Sequence, residues 1–226
     1  MRHALVLLGH ADPHSFNARL ARAYADALRE AGARVESITL SDLSFDPVLR
    51  RGHAGLGAGA EGDAQTLEPD LLRVRDAIER ADHLAWFFPT YWASPPAIVR
   101  ALVDRLFLPG WAFRYEAGAS STRSLPIGLL AGKSARVVTT MDSPAWWYTL
   151  AHHRAIHGSF VTATLSFVGL APIRTTTIHE LRTASEAARV AHVRSMAVLA
   201  EKDLASKPSK PARAALTSSA SPARDA

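Results

Sequence analysis

The chain has 226 residues, 48% of them hydrophobic, and a formal net charge of +5 at pH 7, which is enough to bury one hydrophobic core and predicts a single folded domain. It contains no cysteine, so disulfides, thiolate metal sites and cysteine nucleophiles are excluded. Charged residues, histidines or prolines interrupt its most apolar stretches before they reach the roughly 20 residues of a membrane-spanning helix, so we expect a soluble, cytoplasmic protein.

The first half of the chain alternates a short apolar run with helical periodicity. The run from Leu5 to Leu8 is continuous and apolar, as expected for a strand buried on both faces. Apolar residues then recur at helical spacing over residues 18–31, which predicts a helix. Residues 34–40 alternate polar and apolar side chains, which predicts a second strand toward the sheet edge. Residues 51–66 are rich in glycine and are predicted to form a mobile loop.

The second half of the chain continues this alternation. Three more strands are predicted, at residues 83–88, 135–141 and 172–178. Four more helices are predicted, at residues 69–80, from Pro95 and Pro96 to 107, around 150–168, and at 184–204. Five strands that alternate with helices indicate an α/β fold with a doubly wound parallel sheet and helices on both faces.

The end of the chain differs in composition from the rest. Residues 205–226 are rich in alanine, serine and proline, and four basic residues against Asp225 give this segment a charge of +3. Only +2 of the total +5 then remains for residues 1–204. We therefore expect a folded domain at 1–204 and a disordered basic tail at 205–226. A nearly neutral folded part gives no reason to expect a nucleic-acid partner.

Three loops are expected to carry the ligand site, because ligands bind beyond the carboxyl ends of parallel strands where the strand order reverses. These loops are residues 10–17, 89–93 and 139–148. The first opens directly onto a helix, whose free N–H groups, with Ser15 and Asn17, favour a phosphate. The alternative is that Ser15 or Asn17 only caps the helix. The loop lacks the G-x-G-x-x-G pattern of dinucleotide-binding domains.

Aromatic residues are concentrated near the second and third loops. All five tryptophans and three of the four tyrosines lie between residues 86 and 148. Tyr91 and Trp92 follow a central strand, where aromatic faces and backbone amides suit a flat tricyclic ring. The alternative is that these side chains pack in the core.

Five motifs occur in a fixed order along the chain. They are His10-x4-Ser15-Phe16-Asn17, Phe45-Asp46-Pro47, Phe88-Pro89-Thr90-Tyr91-Trp92, Pro95-x-Ala97 and Thr139-Thr140. In this order they resemble the NAD(P)H:quinone oxidoreductase family over roughly residues 4–200. The resemblance implies a flavodoxin-like fold with strand order 2-1-3-4-5. It also implies an oxidoreductase that passes hydride from NAD(P)H through a non-covalently bound FAD or FMN to a quinone-like acceptor, in a ping-pong cycle.

The resemblance also implies roles for individual residues. The phosphate and ribityl chain would be held by His10, Ser15, Phe16 and Asn17. The isoalloxazine would be lined by Pro89, Thr90, Tyr91, Trp92, Ala93, Thr139, Thr140, Met141 and Asp142. Phe113 and Tyr115 would contact the substrate. Tyr148 would stabilise negative charge on the reduced ring, with His152 as its candidate partner and His153 and His157 as alternatives. Members of the family are usually homodimers with two sites at the subunit interface.

Several alternatives remain open from the sequence. The choice between FAD and FMN is one of them, with Arg189 either an adenine contact or an exposed helix residue. Met141-Asp142 replaces the glycine pair of mammalian relatives, which leaves the shape of the acceptor pocket undetermined. The alternative function is that of a flavin-bearing ancillary subunit associated with a potassium-efflux transporter at the membrane. No metal site is predicted, because the clustered histidines lack an acidic residue at a supporting helical spacing.

Overall fold

The computed structural model describes residues 2–50, 65–115 and 126–206. The described residues form seven strands: β1 (His3–Leu8), β2 (Arg34–Thr39), β3 (His83–Pro89), β4 (Phe113–Arg114), β5 (Ile127–Gly128), β6 (Ser134–Thr140) and β7 (Ile173–Ile178). They also form five α-helices: α1 (Phe16–Glu30), α2 (Pro69–Arg80), α3 (Ala97–Leu106), α4 (Ala145–Leu150) and α5 (Glu186–Ala205). A 3₁₀ turn spans Leu40–Asp42 and a π-helix spans His157–Ser166.

The central sheet is parallel and has the order β2-β1-β3-β6-β7. This confirms the doubly wound plan and the order 2-1-3-4-5, since β6 and β7 are the fourth and fifth strands of this sheet. Strands β4 and β5 pair with each other in a separate antiparallel ribbon that the sequence did not predict. Most of the predicted mobile loop, and the predicted tail from residue 207 onward, lie outside the described residues.

Helices cover both faces of the sheet, as predicted, and each face has its own core. On one face α1 and α5 bury Tyr24 and Met196 against Val6. On the other face α2 and α3 bury their apolar residues against a second set of strand side chains that includes Leu5 and Trp86. Consecutive residues of β1 therefore point to opposite cores, as the period of two in a strand requires.

A buried polar network joins α1, β3, β6 and α5 at the amino end of the sheet. The Asp203 carboxylate pairs with Arg136 and accepts a 2.6 Å hydrogen bond from the Tyr24 hydroxyl. That hydroxyl lies 2.8 Å from Nε2 of His83, which therefore donates to it. Burial is the largest effect on the pKa of His83 and lowers it to about 4, so the imidazole is neutral in this network.

The region predicted as one helix around 150–168 is interrupted. His153 and Arg154 have φ values of +46° and +52°, which break the right-handed helix after α4. The chain then continues as a π-helix in which Phe160 and Leu165, five residues apart, are both buried. The five-residue spacing of this apolar pair matches the i→i+5 pattern of a π-helix.

Among the described residues, no helix is both long and apolar enough to cross a membrane.

Candidate functional site

The three loops singled out from the sequence emerge side by side. Strand β3 lies between β1 and β6, and the register pairs Leu8 with Phe87 and Pro89 with Thr140. The chain therefore leaves β1, β3 and β6 at the same edge of the sheet. We call this edge the strand-end site; it comprises residues 9–17, 90–96 and 141–148. The strand order reverses between β1 and β3, which is where ligands bind in doubly wound sheets.

The loop after β1 is held by its own polar groups. Nδ1 of His10 accepts a 3.0 Å hydrogen bond from the Asp12 N–H, and the Asp12 carboxylate accepts a 2.8 Å bond from the His14 N–H. Ser15 caps α1, since its Oγ accepts from the Ala18 N–H at 3.2 Å. The Ser15 hydroxyl can still donate its proton, and the first N–H groups of α1 have no carbonyl within the helix to pair with. An anion therefore fits this helix end.

Gly9 is a site residue that the sequence interpretation missed. A Cβ atom at this position would lie 2.4 Å from Cγ2 of Val99 and 3.1 Å from Cβ of Phe88. Only glycine therefore allows α3 to pack this closely against the start of the loop. The signal was present in the sequence, because a glycine directly after a buried strand often marks a close approach of backbone.

Asn17 links the first helix to the end of β6. Its side chain is buried, with 3% of its surface exposed, and its Nδ2 donates a 2.9 Å hydrogen bond to Oγ1 of Thr140. Its Oδ1 is buried and has no hydrogen-bond partner within the described part of the chain. Buried polar atoms are almost always paired in proteins. This Oδ1 is therefore suited to accept a hydrogen bond from a hydroxyl group of a ligand.

The side chains of Thr139 and Thr140 are both 2% exposed and tie neighbouring strands together. Oγ1 of Thr139 lies 2.8 Å from Oγ1 of Thr90, and the carbonyl of Thr140 accepts the Thr90 N–H at 2.7 Å. The threonines predicted to line a ring thus fix the spacing between the ends of β3 and β6. Pro89 is buried at the end of β3, directly beside them.

A tight aromatic turn follows β3. Tyr91 and Ser94 exchange two backbone hydrogen bonds of 2.9 Å, and Trp92 and Ala93 between them have φ values of +52° and +57°. Left-handed backbone at two residues that are not glycine is strained, and such strain is concentrated at ligand sites. Trp92 is fully exposed and Tyr91 is about half exposed. The turn therefore presents two aromatic rings beside the strand-end site.

The turn after β6 is held by the chain that follows β7. Met141 is buried, and its carbonyl accepts the Leu181 N–H at 3.1 Å. The exposed Asp142 accepts the Arg182 N–H through Oδ1 at 2.9 Å. Both predicted residues are thus at the strand-end site, with Asp142 on its outer side.

Tyr148 is buried, and its hydroxyl has two partners. The oxygen accepts the Ile156 N–H at 3.2 Å and lies 3.2 Å from Nδ1 of His157. Nε2 of His157 lies 3.1 Å from Oγ1 of Thr175. Burial raises the pKa of the Tyr148 phenol. Burial, followed by the neighbouring Arg154, lowers the pKa of His157. Near pH 7 both groups are therefore neutral, and the phenol donates to Nδ1.

Three imidazoles surround Tyr148. The ring of His152, its predicted partner, contacts it edge-on with centroids 6.4 Å apart, and the His157 ring lies at 6.0 Å. The structure thus places His157, not His152, in hydrogen-bond contact with the phenol. The third ring, that of His179 at 5.8 Å, was not singled out from the sequence. Its position directly after the last predicted strand could have identified it.

The remaining aromatic residues differ in exposure. Phe113 is buried in the core, with its ring 5.0 Å from that of Phe167, whereas Tyr115 is 63% exposed. Of the two predicted substrate contacts, Tyr115 is the one whose ring faces solvent. Trp146 and Trp147 are exposed beside Tyr148, with their rings edge-to-face at 5.6 Å.

The ring of Phe16 has two guanidinium groups near it, those of Arg19 and Arg189, at 6.0 and 5.8 Å from its centre. Arg189 also donates to the carbonyls of Leu181 and Ala184, at 2.6 and 3.2 Å. The guanidinium of Arg189 therefore has defined hydrogen-bond partners, unlike that of an arginine simply exposed on a helix. It connects the start of α5 to the loop after β1.

Comparisons with known proteins agree with this arrangement. A family model for the flavodoxin-like fold matches residues 2–199. NAD(P)H dehydrogenase (quinone) 1 of Cavia porcellus is 28% identical over 194 residues. That match covers 79% of this chain and 64% of the relative, so the chain spans slightly less than two thirds of that protein.

Two solved structures are similar in fold. The NAD(P)H:quinone oxidoreductase from Methanothermobacter marburgensis has a TM-score of 0.74 at 20% identity, over 88% of this chain and 97% of that one. An FMN-dependent NADH-azoreductase from Bacillus anthracis, in complex with FMN, has a TM-score of 0.65 at 14% identity, over 89% and 99%. The resemblance stated from the motifs is confirmed, and the chain belongs to the flavodoxin-like family.

Proposed function

We propose that the protein is a flavin-dependent NAD(P)H oxidoreductase that passes hydride through bound flavin to a quinone-like acceptor, in a ping-pong cycle. The observation that carries this proposal is that three strand-end loops emerge at one edge of the sheet, beside the buried Asn17, whose Oδ1 has no hydrogen-bond partner among the described residues. The relative from Cavia porcellus is named as a quinone dehydrogenase, which supports the same activity. Nothing in the comparisons favours the alternative of a transporter-associated subunit.

The residues present fit a flavin mononucleotide or the corresponding part of FAD. The N–H groups at the start of α1 and the Ser15 hydroxyl would hold the phosphate, with His10 and Phe16 beside them. Oδ1 of Asn17 would accept from a ribityl hydroxyl. The turns at 90–94 and 141–143 would flank the ring. The bound flavin would supply the two-electron chemistry, and the protein would supply its position.

Tyr148 and His157 would stabilise negative charge that develops near the ring. Because the phenol is neutral, it can donate a hydrogen bond toward negative charge that develops in the strand-end site. Because His157 is neutral, its Nδ1 can accept the phenol hydrogen while no such charge is present. The pair would thus respond to the redox state of the site without burying a net charge.

The exposed aromatic side chains would bind the nicotinamide and the acceptor in turn. Trp146, Trp147 and Tyr115 offer flat apolar faces that suit planar rings. We also propose a homodimer, in which the second subunit would cover the exposed rings of Trp92 and Tyr115. Sedimentation equilibrium would test the dimer, and a monomer at micromolar concentration would contradict it.

The test of the activity starts with the purified protein. We expect it to bind FMN or FAD with a visible absorbance band, to lose that band on anaerobic addition of NADH or NADPH, and to regain it with a benzoquinone. Initial rates at several acceptor concentrations should give parallel double-reciprocal lines, as in ping-pong kinetics. A protein that binds neither flavin after reconstitution would contradict the proposal.

A further inference from the structure

The turn after β6 depends on the loop after β7 for its position. Four hydrogen bonds join the two segments: Met141 N–H to the Ile178 carbonyl at 2.9 Å, Leu181 N–H to the Met141 carbonyl at 3.1 Å, Arg182 N–H to Asp142 Oδ1 at 2.9 Å, and His179 Nδ1 to the Ser143 carbonyl at 2.9 Å. Three of these bonds have a backbone donor. In the fourth, the donor is the side chain of His179.

The hydrogen bond to Ser143 fixes the tautomer of His179. A carbonyl oxygen only accepts hydrogen bonds, so Nδ1 of His179 must carry the proton. The same ring lies against Tyr148, with centroids 5.8 Å apart and planes inclined by 54°. One imidazole therefore contacts both the turn that would flank the ring of the flavin and the phenol beside it.

The other end of this loop is tied to the phosphate side of the site. Arg189 donates to the carbonyls of Leu181 and Ala184 and lies over the ring of Phe16. Glu180, next to His179, has a φ of +52°, so the loop is held in a conformation that is unfavourable for an isolated chain. Its contacts at both ends stabilise this conformation.

We propose that His179 is a positioning residue of the strand-end site: through Ser143 and Tyr148 it holds the turn after β6 and the phenol in one fixed arrangement. This inference rests on the proposed function only for the identity of the ligand. The contacts themselves join residues of this chain, so they are open to measurement without flavin.

The first experiment uses the ligand-free full chain. His179→Ala removes the donor, whereas His179→Asn places an amide N–H where Nδ1 stands. We expect His179→Ala to speed amide hydrogen exchange at Met141, Leu181 and Arg182 by about tenfold, the effect of one hydrogen bond of typical net strength. In His179→Asn, the exchange rates of these amides should stay within about threefold of those in the native protein. His192→Ala, on α5, is the control and should change none of these amides.

The second experiment measures the binding of FMN by the quenching of its fluorescence, and the environment of the bound FMN by its visible spectrum. We expect His179→Ala to weaken binding about tenfold and to shift the spectrum of any bound flavin, with Asn restoring both. Unchanged exchange in His179→Ala, or exchange in Asn equal to that in Ala, overturns the proposal. So does altered exchange with unaltered FMN binding and spectrum. If the native protein binds no flavin, the proposed function fails, while the exchange data still decide whether His179 positions the turn.

If His179→Ala does not fold, His179→Gln provides the comparison. Its longer side chain carries an amide that does not match the position of Nδ1. It should therefore behave like the loss of the donor, while remaining polar and close to histidine in size. Native-like exchange in His179→Gln together with faster exchange in His179→Asn would contradict the proposal.

Discussion

The hydroxyl of Tyr148 lies 3.2 Å from Nδ1 of His157, although eight residues and a left-handed break in the chain separate the two. Burial shifts both groups toward their neutral forms, as it does for His83 beside Tyr24, but here the pair adjoins the strand-end site. Groups with perturbed pKa values beside a ligand site are candidates for a functional role.

Tyr148→Phe should lower the rate of acceptor reduction by about a hundredfold, the lower end of the range for loss of one hydrogen-bond donor to developing charge. Stopped-flow absorbance of the two half-reactions would measure it. His157→Ala should cause a similar loss, and His152→Ala a clearly smaller one, because the His157 ring hydrogen-bonds to the phenol whereas the His152 ring only contacts it edge-on. A larger loss in His152→Ala would restore the partner predicted from the sequence.

Gly9→Ala should destabilise the fold and prevent flavin binding, because the new Cβ would lie 2.4 Å from Cγ2 of Val99. Overpacking of this kind costs about 1–3 kcal/mol. Urea unfolding would compare Gly9→Ala, Val99→Ala and the double variant. We expect the double variant to be at least about 1 kcal/mol more stable than the sum of the two single changes implies. Simple additivity of the two changes would mean that the contact is not the cause.

Trp92→Gly should leave the free energy of unfolding unchanged or raise it by about 1 kcal/mol, because glycine adopts a positive φ without strain and the lost side chain is fully exposed. At the same time it should weaken binding of flavin or nicotinamide, since an aromatic face is lost. Trp146→Gly is the matched control, as it removes an exposed tryptophan from a helix. We expect that variant to be destabilised.

The stability of the protein should fall as the pH drops from about 6.5 to about 4. His83 has a pKa lowered from 6.5 to about 4, mainly by burial. In this range the unfolded chain binds a proton that the folded chain does not, so folding becomes less favourable as the pH falls. Over the whole of this pH range, the free energy of unfolding falls by about 3 kcal/mol. Urea unfolding of the native protein and of His83→Gln at pH 7 and pH 4.5 would measure it, and equal pH dependence in both would contradict the assignment.

Much of the fold was predictable because its strands are short apolar runs between proline, glycine and charged residues. Strand β3, for example, is buried throughout and ends at Pro89, as predicted. The ribbon of β4 and β5 was not predictable, because each strand has two residues and no periodicity. Nor was the π-helix, since its apolar residues are also consistent with an α-helix.

The location of the candidate site could be predicted from the sequence, but the side-chain contacts within it could not. The predicted ends of the first, third and fourth strands identified the three loops, because ligands bind beyond the carboxyl ends of the strands in a doubly wound sheet. The part played by Thr139 and the pairing of Tyr148 with His157 depend on side-chain directions and on a break in the helix. The sequence carries no simple periodic signal for either.

The way in which β1 supplies both cores also limits how the chain can vary. A single residue inserted within His3–Leu8 would exchange the side chains that face α1 with those that face α2, so both layers would lose their packing together. The exposed residues 11–14, only a few positions further along, carry no such alternation, so a change in length there would alter the hydrogen bonds of Asp12 but leave both cores packed. Evolution can therefore remodel the ligand end of this protein in small steps, while the strand beneath it tolerates almost none.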